Sequence, residues 1–268
     1  MLVVIRGAGD LASGIALRLF RAGASIVMLD VAVPTAVRRT VCFSEAIRLG
    51  ETQVEDVRGR RCADADEAAR VAAAGEIALL VDPEGTSIPQ LAPDAVVDAI
   101  VAKRNLGTTR DMAPIVIGVG PGFRAGDDAS ADCHAAVETK RGHYLGRVIM
   151  SGSPIPNTGV PGNIGGHTTD RVLRAPADGL FEPRAEIGDR VSAGDVVGMV
   201  AGQPLLATID GVLRGLLQEG CPVTRGMKAG DIDPRCKPGH CCTCSDKARA
   251  VAGGVLEALL RLSGRLKG

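Results

Sequence analysis

Apolar and polar positions along the first thirty residues follow the pattern of a strand, a helix and a second strand. Residues 2–6 form a short apolar run, and residues 10–22 place their apolar side chains on one helical face, with Gly23 as a stop. Residues 26–30 are apolar without interruption, as is typical of a buried parallel strand. The pattern therefore predicts one βαβ unit at the start of the chain.

Helix and strand patterns continue to alternate up to about residue 150. The predicted elements are an Ala-rich helix over 64–74 and apolar segments over 77–81, 95–102 and 112–119. Apolar stretches on both sides of residues 140–143 predict a hairpin. Gly, Pro, Ser and Asn then dominate residues 151–166, which places the predicted boundary between a first domain, 1–166, and a second domain, 167–268.

The second domain repeats its own pattern at an offset of 32 residues. The matching pairs are Ala175 with Ala207, Asp178 with Asp210, Gly179 with Gly211, Gly188 with Gly220, Val191 with Val223, Gly194 with Gly226 and Gly198 with Gly230. Two short β units of this kind bury their apolar faces only by intertwining, so the pattern predicts a pseudo-twofold β module, followed by a C-terminal helix. The module resembles a biotinyl- or lipoyl-type barrel-sandwich hybrid, but residues 200–204 between the halves contain no lysine for a carrier arm.

The expected fold class is therefore α/β, with a Rossmann-like parallel sheet followed by a β-rich barrel-sandwich-hybrid module. Lys plus Arg and Asp plus Glu each number 31, so no net charge attracts nucleic acid or an anionic membrane. The absence of Trp, with one Tyr and four Phe, removes the stacking surfaces of single-strand binders. Eight cysteines without a secretion signal or a membrane span predict reduced thiols and a cytoplasmic location.

A glycine-rich turn follows the first predicted strand and opens the first helix. Its members are Gly7, Ala8, Gly9, Asp10, Leu11 and Ala12, which match the Gly-x-Gly-x-x-Gly/Ala pattern of dinucleotide-binding turns. Backbone amides at such a helix start can bind a pyrophosphate, and Asp30 at the end of the second strand can accept ribose hydroxyls. The Asp10 carboxylate would repel phosphate there, so an alternative is a helix N-cap without any nucleotide.

Further candidate ligand groups follow the other predicted strands. They are Arg38 and Arg39, Lys103 and Asn105, Gly120 and Gly122, and Arg141 and His143. Basic groups at the carboxyl edge of a sheet suit phosphate, and a histidine beside acid and cation can move a proton. The alternative for each charged cluster is a solvated surface.

A run of cysteines and one histidine lies near the C-terminus. Cys236, His240, Cys241, Cys242 and Cys244 fall within nine residues, but no Cys-x-x-Cys is partnered by a second pair, so we expect no metal site. Buried thiols are the main interpretation, and a reactive thiol stays open.

Several phrases of the sequence resemble the YqeB family. They are residues 5–12, 38–41, 141–143, 145–149, 156–159, 161–166, 174–179, 230–235 and 245–248. The glycine turn is also similar to the Rossmann part of the XdhC family. The resemblance implies an accessory protein that matures selenium-dependent molybdenum hydroxylases, and Cys241 matches a cysteine of the family pattern.

The resemblance leads to one expected function and two alternatives. The expected protein binds molybdopterin or a dinucleotide at the glycine turn and docks a molybdenum hydroxylase apoenzyme or a selenium donor, with Cys241 as a thiol relay. The first alternative is an NAD(P)-dependent oxidoreductase that uses Asp30 for ribose and His143 as acid. The second is an interaction scaffold with an empty Rossmann fold. A homo-oligomer is compatible with each.

Overall fold

The chain divides into two units in its structure, a computed structural model that describes residues 1–157, 159, 162 and 164–265. Unit 1 comprises Met1–Pro34, Phe43–Thr158 and Cys244–Gly268, and unit 2 comprises Thr35–Cys42 and Gly159–Thr243. This division differs from the predicted boundary at residues 166 and 167, because the C-terminal helix belongs to unit 1 and a short segment before residue 43 belongs to unit 2. Contacts between residues far apart in sequence set both differences.

Two of the phrases that resemble the YqeB family fall partly outside the described residues. Thr158 in the first phrase lies there, as do Pro161 and Asn163 in the second.

Unit 1 is built on one nine-stranded sheet. Its strands are β1 (Leu2–Arg6), β2 (Ser25–Asp30), β3 (Glu51–Val54), β4 (Val57–Arg61), β5 (Ile77–Val81), β6 (Ala95–Asp98), β7 (Ile115–Val119), β8 (Ala135–Val137) and β9 (Val148–Ile149). The spatial order is β3-β4-β5-β2-β1-β6-β7-β8-β9. In this spatial order, all neighbouring strands between β4 and β8 are parallel to each other. The two edge strands are antiparallel to their neighbours: β3 pairs with β4, and β9 pairs with β8.

Five α-helices lie in the described part of unit 1. They are α1 (Asp10–Arg21), α2 (Glu45–Leu49), α3 (Ala65–Ala73), α4 (Ile88–Leu91) and α5 (Asp246–Ser263). The last helix packs against α1, where a Cβ added at Gly14 would lie 2.7 Å from the Cβ of Ala248. No helix in the described part of the chain is long and apolar enough to cross a membrane.

Unit 2 contains two separate four-stranded antiparallel sheets. Its strands are β10 (Val172–Arg174), β11 (Gly179–Pro183), β12 (Arg190–Val191), β13 (Val196–Val200), β14 (Gln203–Leu206), β15 (Gly211–Leu216), β16 (Pro222–Val223) and β17 (Lys228–Asp233). One sheet has the order β10-β17-β15-β12 and the other has the order β14-β13-β11-β16. Strands β10 to β13 belong to the first repeat, and β14 to β17 are their counterparts about 32 residues later. Each sheet therefore contains two strands from each repeat. The two repeats thus exchange strands between the two sheets.

The predicted fold class is wrong in both of its parts. The large sheet is mixed and not a parallel Rossmann sheet, because only residues 55 and 56 connect β3 to β4, and so short a connection joins antiparallel strands. The strands of unit 2 form two sheets and not the biotinyl- or lipoyl-like module that was expected.

Candidate functional site

A cavity of about 550 Å³ opens at the carboxyl edge of the large sheet in unit 1. This volume lies within the range of small-molecule sites in proteins. The residues that line it lie at the ends of β1 and β2 or follow β1, β2, β5 and β6: Arg6, Gly7, Leu29, Asp30, Val31, Pro83, Glu84, Ile100, Leu106 and Gly107. The cavity is therefore the strongest candidate for a ligand site in the described part of unit 1.

Arg6 holds the loops around this cavity together. Its guanidinium donates hydrogen bonds to the Thr108 hydroxyl, to the Pro83 carbonyl at 3.1 Å and to the Leu106 carbonyl at 3.2 Å. It also pairs with Asp98 at 3.5 Å, and both side chains are almost fully buried. Burial raises the pKa of the Asp98 carboxyl, against the lowering effects of its hydrogen bonds and of Arg6. A buried charge with this many partners orders the cavity wall before any ligand arrives.

Asp30 is the carboxylate at the end of β2, on the cavity wall. Its Oδ2 accepts the backbone N–H of Ala8 at 2.8 Å, and its Oδ1 accepts the N–H of Val31 at 2.7 Å. Burial raises the pKa of Asp30, and the two amide hydrogen bonds oppose that shift. Each oxygen keeps a second lone pair, so the side chain can still accept a hydrogen bond from a ligand.

Glu84 is presented to the cavity by a tight loop after β5. The Asp82 carboxylate accepts the backbone N–H groups and hydroxyls of Thr86 and Ser87 at 2.7 to 3.0 Å, which fixes the loop. Burial by itself raises the pKa of Asp82, but these four hydrogen bonds outweigh it and lower the pKa. The loop thus carries an exposed second carboxylate, on Glu84, to the rim.

Aliphatic side chains supply the rest of the cavity wall. They are Leu29, Val31, Pro83, Ile100 and Leu106, and Val31 and Leu106 keep 40% and 38% of their surface exposed. The two terminal nitrogens of Arg6 are bound to Asp98, Thr108 and backbone carbonyls of the wall, whereas its Nε has no partner in the described part of the chain. With two carboxylates on apolar walls, the cavity favours an uncharged or cationic ligand over an anion.

Two backbone amides of the glycine turn are already bound within the protein. Gly7 adopts a φ of +95°, its N–H donates to the Leu29 carbonyl at 2.7 Å, and the N–H of Ala8 is taken by Asp30. Gly9 is the N-cap of α1, without a side-chain cap. Asp10, Leu11 and Ala12 form the first turn of that helix. Asp30 therefore binds one amide of the turn, in place of the ribose role that the pattern assigns to it.

Two further predicted residue pairs shape the loops near β6 and β7. Asn105 donates to the Thr108 carbonyl at 2.8 Å and accepts the Thr108 N–H at 2.8 Å, so it fixes the turn over residues 105–108, which follows Lys103. Gly120 and Gly122 allow close packing; a Cβ at Gly122 would lie 2.6 Å from the Arg104 Cα. Their structural role is to let backbone segments approach one another.

Arg141 and His143 do not come together as a proton-transfer pair at the cavity. Arg141 forms two hydrogen bonds with the Asp246 carboxylate, at 2.7 and 3.0 Å. His143 is exposed and contacts the ring of Tyr144 at a centroid distance of 5.0 Å. Neither residue lines the cavity.

Arg38 and Arg39 belong to unit 2 and not to the edge of the large sheet, which corrects their predicted position. Arg38 is 5% exposed and donates to the carbonyls of His240 at 2.9 Å and Thr243 at 3.3 Å. The Nε of Arg39 donates to the Leu216 carbonyl at 2.8 Å. Both side chains bind backbone oxygens within unit 2.

The cysteine cluster does not form a metal site among the described residues. Cys241 is 2% exposed, and burial raises the pKa of its thiol. Both properties oppose the thiol relay predicted for it, because the thiolate is the reactive form. Cys242 beside it is exposed.

Of the residues that line the cavity, the sequence patterns indicated only Gly7 and Asp30. Arg6 was the available signal, since a charged side chain that ends a buried apolar strand needs buried partners. The run Asp82, Pro83, Glu84, Gly85, Thr86 and Ser87 was a second signal, because it is rich in turn residues directly after a strand.

Comparison with known sequences finds one curated relative with high identity. The chain is 52% identical over 261 residues to the uncharacterized protein YqeB of Escherichia coli (strain K12), and the match covers 97% of this chain and 48% of that protein. The chain spans about half the length of this relative. The similarity supports the YqeB family resemblance over that span, whereas no family model matches the chain.

Comparison with solved structures finds distant likenesses. A succinylglutamate desuccinylase/aspartoacylase from Rhodobacter sphaeroides has 17% identity and a TM-score of 0.29, covering 86% of this chain and 84% of that chain. An aspartoacylase family protein from Mesorhizobium loti has 15% identity and a TM-score of 0.26, with coverages of 87% and 84%. The ectoine utilization protein EutE (DoeB) from Ruegeria pomeroyi has 12% identity and a TM-score of 0.27, with coverages of 86% and 85%. These values are too low to transfer an activity.

The expected role in molybdenum hydroxylase maturation is withdrawn. The curated relative with high identity is an uncharacterized protein, and the solved structures are too distant to indicate an activity. The link to selenium and the XdhC family and the two alternative functions are withdrawn with it. The expected cofactors, molybdopterin or NAD(P), and the expected partners stay predictions.

Proposed function

We propose that this protein binds a small uncharged or cationic organic molecule in the cavity at the carboxyl edge of its large sheet. The single observation that carries the proposal is the composition of that cavity of about 550 Å³, which combines aliphatic walls with the carboxylates of Asp30 and Glu84. Hydroxyl or amino groups of the ligand would donate to these carboxylates, and an apolar part would lie against Val31 and Leu106.

The supporting geometry is the rigidity of the wall. Arg6 ties together the loops that carry Pro83, Leu106 and Thr108, so the cavity needs little reorganisation to accept a ligand. Charge-assisted hydrogen bonds to Asp30 and Glu84 would each contribute about 1.5–3 kcal/mol, which corresponds to about 10- to 100-fold in affinity.

A thermal-shift screen of the full chain tests this proposal. The panel holds neutral, cationic and anionic metabolites in equal numbers, and each hit is confirmed by calorimetry on the wild type, Asp30→Asn, Glu84→Gln and the control Glu219→Gln. The control removes an exposed carboxylate of unit 2.

We expect neutral or cationic hits whose affinity falls about tenfold in the first two variants and is unchanged in the control. Anionic hits, hits that none of the cavity variants weakens, or an empty screen would each overturn the proposal.

We also propose a cytoplasmic location. The eight cysteines support it, since each is a free thiol and six of them are buried without a disulfide partner.

A further inference from the structure

A second cavity, of about 380 Å³, opens at the carboxyl ends of β4 and β5 in unit 1. The two strands are parallel, and the carboxyl ends of parallel strands are where open α/β sheets bind ligands. The volume again lies within the range of small-molecule sites. The lining residues are Gly50, Arg61, Cys62, Ala63, Glu67 and Val81, and none of them lines the cavity around Asp30.

Arg61, the last residue of β4, is held in place by two backbone carbonyls at the end of α2. Its own N–H donates to the Gly50 carbonyl at 2.8 Å, and its Nη1 donates to the Ile47 carbonyl at 3.0 Å. In the described part of the chain, the guanidinium forms no other hydrogen bond and no ion pair. Its Nε and Nη2 therefore keep N–H groups that can donate to a ligand in the cavity.

Glu67, in the first turn of α3, is held by the loop that precedes this helix. Its Oε2 accepts the backbone N–H of Ala63 at 2.7 Å, and its own N–H donates to the Asp64 carboxylate at 2.8 Å. Reciprocal bonds of this kind fix a side chain at a helix start. The other carboxylate oxygen, Oε1, has no partner among the described residues and can accept from a ligand.

The two opposite charges line one cavity without pairing with each other. No ion pair within 4 Å joins Arg61 to Glu67 in the described part of the chain, because each side chain is bound to a backbone group instead. A cation and a carboxylate that are kept apart in this way can each bind one end of a zwitterion through charge-assisted hydrogen bonds. The guanidinium suits the carboxylate end, since its donors form a planar fork.

The remaining wall of this cavity carries no charge. Cys62 is 4% exposed, and burial raises the pKa of its thiol, so the thiol is neutral at pH 7. Val81 keeps 38% of its surface exposed and offers an apolar contact. The charges of the lining residues therefore balance, which favours a ligand without net charge over a simple anion or cation.

We propose that this cavity binds a small zwitterion of the α-amino acid class. Arg61 donates to the ligand carboxylate, Glu67 accepts from the ligand ammonium, and the ligand side chain lies against Val81. The proposal does not depend on a ligand in the cavity around Asp30, because the two cavities share no lining residue.

Calorimetric titration of the full chain with L-alanine, propionate and ethylamine tests the ligand class. Propionate is L-alanine without its ammonium group, and ethylamine is L-alanine without its carboxylate. We expect L-alanine to bind and each analogue to bind at least about tenfold more weakly, since each loses one charge-assisted hydrogen bond. An analogue that binds as tightly as L-alanine, or no binding of L-alanine, would overturn the proposal.

The same titration of variants tests the two residues. The variants are Arg61→Gln and Glu67→Gln, and the matched control is Arg70→Gln, which removes an exposed arginine of α3. Glutamine at position 67 can still accept the Ala63 N–H, so α3 keeps this contact. We expect each site variant to weaken L-alanine binding by about tenfold, with no change in the control. Equal affinity in all four proteins would contradict the assignment.

Amide NMR of the wild-type protein locates the ligand without any variant. L-Alanine should shift the amide resonances of Gly50 and Ala63 and leave those of Gly7 and Gly107, on the wall of the cavity around Asp30, in place. Shifts confined to Gly7 and Gly107 would rule out this site and leave the function proposed for the first cavity standing. Unmoved resonances at Gly50 and Ala63 would overturn the proposal even where a variant fails to fold.

Discussion

The carboxylate of Asp30 accepts a hydrogen bond from the backbone N–H of Ala8, with 2.8 Å between the donor nitrogen and Oδ2. The end of β2 therefore satisfies an amide that the glycine turn would otherwise offer to a ligand. In a dinucleotide site, the turn binds pyrophosphate and the acidic residue binds ribose. Here the two parts bind each other, so the motif forms a closed turn at the edge of the cavity.

This contact predicts a local effect of removing the carboxylate. In Asp30→Ala, the amide of Ala8 loses its acceptor, and we expect its hydrogen exchange to accelerate about tenfold, with a loss of about 1 kcal/mol in the free energy of unfolding. Amide exchange followed by NMR measures the effect. Asp56→Ala, which removes an exposed carboxylate, serves as the control. An unchanged exchange rate at Ala8 would show that the contact contributes nothing.

The contacts of Arg6 predict a large loss in the free energy of unfolding even when a substitution keeps the positive charge. Lysine cannot reproduce the fork that reaches Thr108, Pro83 and Leu106 together, so Arg6→Lys should lower the free energy of unfolding by about 3 kcal/mol. Urea denaturation measures it, with the exposed Arg18→Lys as the control. A loss below that of the control would contradict the role of Arg6 in holding the loops.

Two neighbouring glycines of α5 predict opposite effects of the same substitution. A Cβ at Gly254 would lie 2.1 Å from the Gly146 carbonyl oxygen, whereas a Cβ at Gly253 has no atom within 4 Å. Gly254→Ala should therefore destabilise unit 1 by about 1–3 kcal/mol through overpacking. Gly253→Ala should stabilise it by up to about 1 kcal/mol through helix propensity. Thermal unfolding of both variants checks the signs, and equal shifts would rule out the close approach.

The contacts of Asp233 predict that unit 2 becomes less stable as the pH falls. Burial by itself raises the pKa of this carboxyl, but Arg235 and His240 bind it closely enough to hold the pKa well below its ordinary value of 3.8. A lowered pKa stabilises the fold above pH 3.8, and this contribution is lost as the pH falls. Asp233→Asn should cost about 3 kcal/mol at pH 7, since the buried Arg214 also loses the carboxylate 3.8 Å away.

Denaturation at several pH values measures this effect. The difference between wild type and Asp233→Asn should shrink progressively below pH 3.8. A difference that is constant down to the lowest accessible pH would contradict the lowered pKa.

The exposure and the thiol pKa of the cysteines predict which of them react fastest. Cys242 is exposed, whereas burial raises the pKa of Cys241 and raises that of Cys133 to about 11. At pH 7.5, iodoacetamide should alkylate Cys242 at least about tenfold faster than the other two, because only an accessible thiolate reacts. Peptide mass spectrometry over time measures the rates. Faster labelling of Cys241 would restore its candidacy as a relay.

Local patterns predicted the elements that depend on local sequence. The apolar run of β1, the amphipathic face of α1 and the 32-residue repeat each appear in the structure close to their predicted positions. In each case, neighbouring residues carry the periodicity of the element, and burial on one face enforces it.

The candidate site could not be predicted to the same extent, because it depends on pairs far apart in sequence. Arg6 meets Asp98 across 92 positions and Pro83 across 77 positions. Nothing in the segments around these residues encodes their partners. The closed glycine turn is a similar case, since its motif is typical of a ligand site and only the position of the Asp30 carboxylate reveals that the amide is occupied.

The exchange of strands between the two repeats of unit 2 also constrains how such a chain could arise. Each sheet takes two strands from each repeat, so one repeat alone completes neither sheet. An ancestor with a single copy would have folded only by associating with an identical chain. Joining the two copies in tandem makes that association intramolecular and therefore independent of protein concentration.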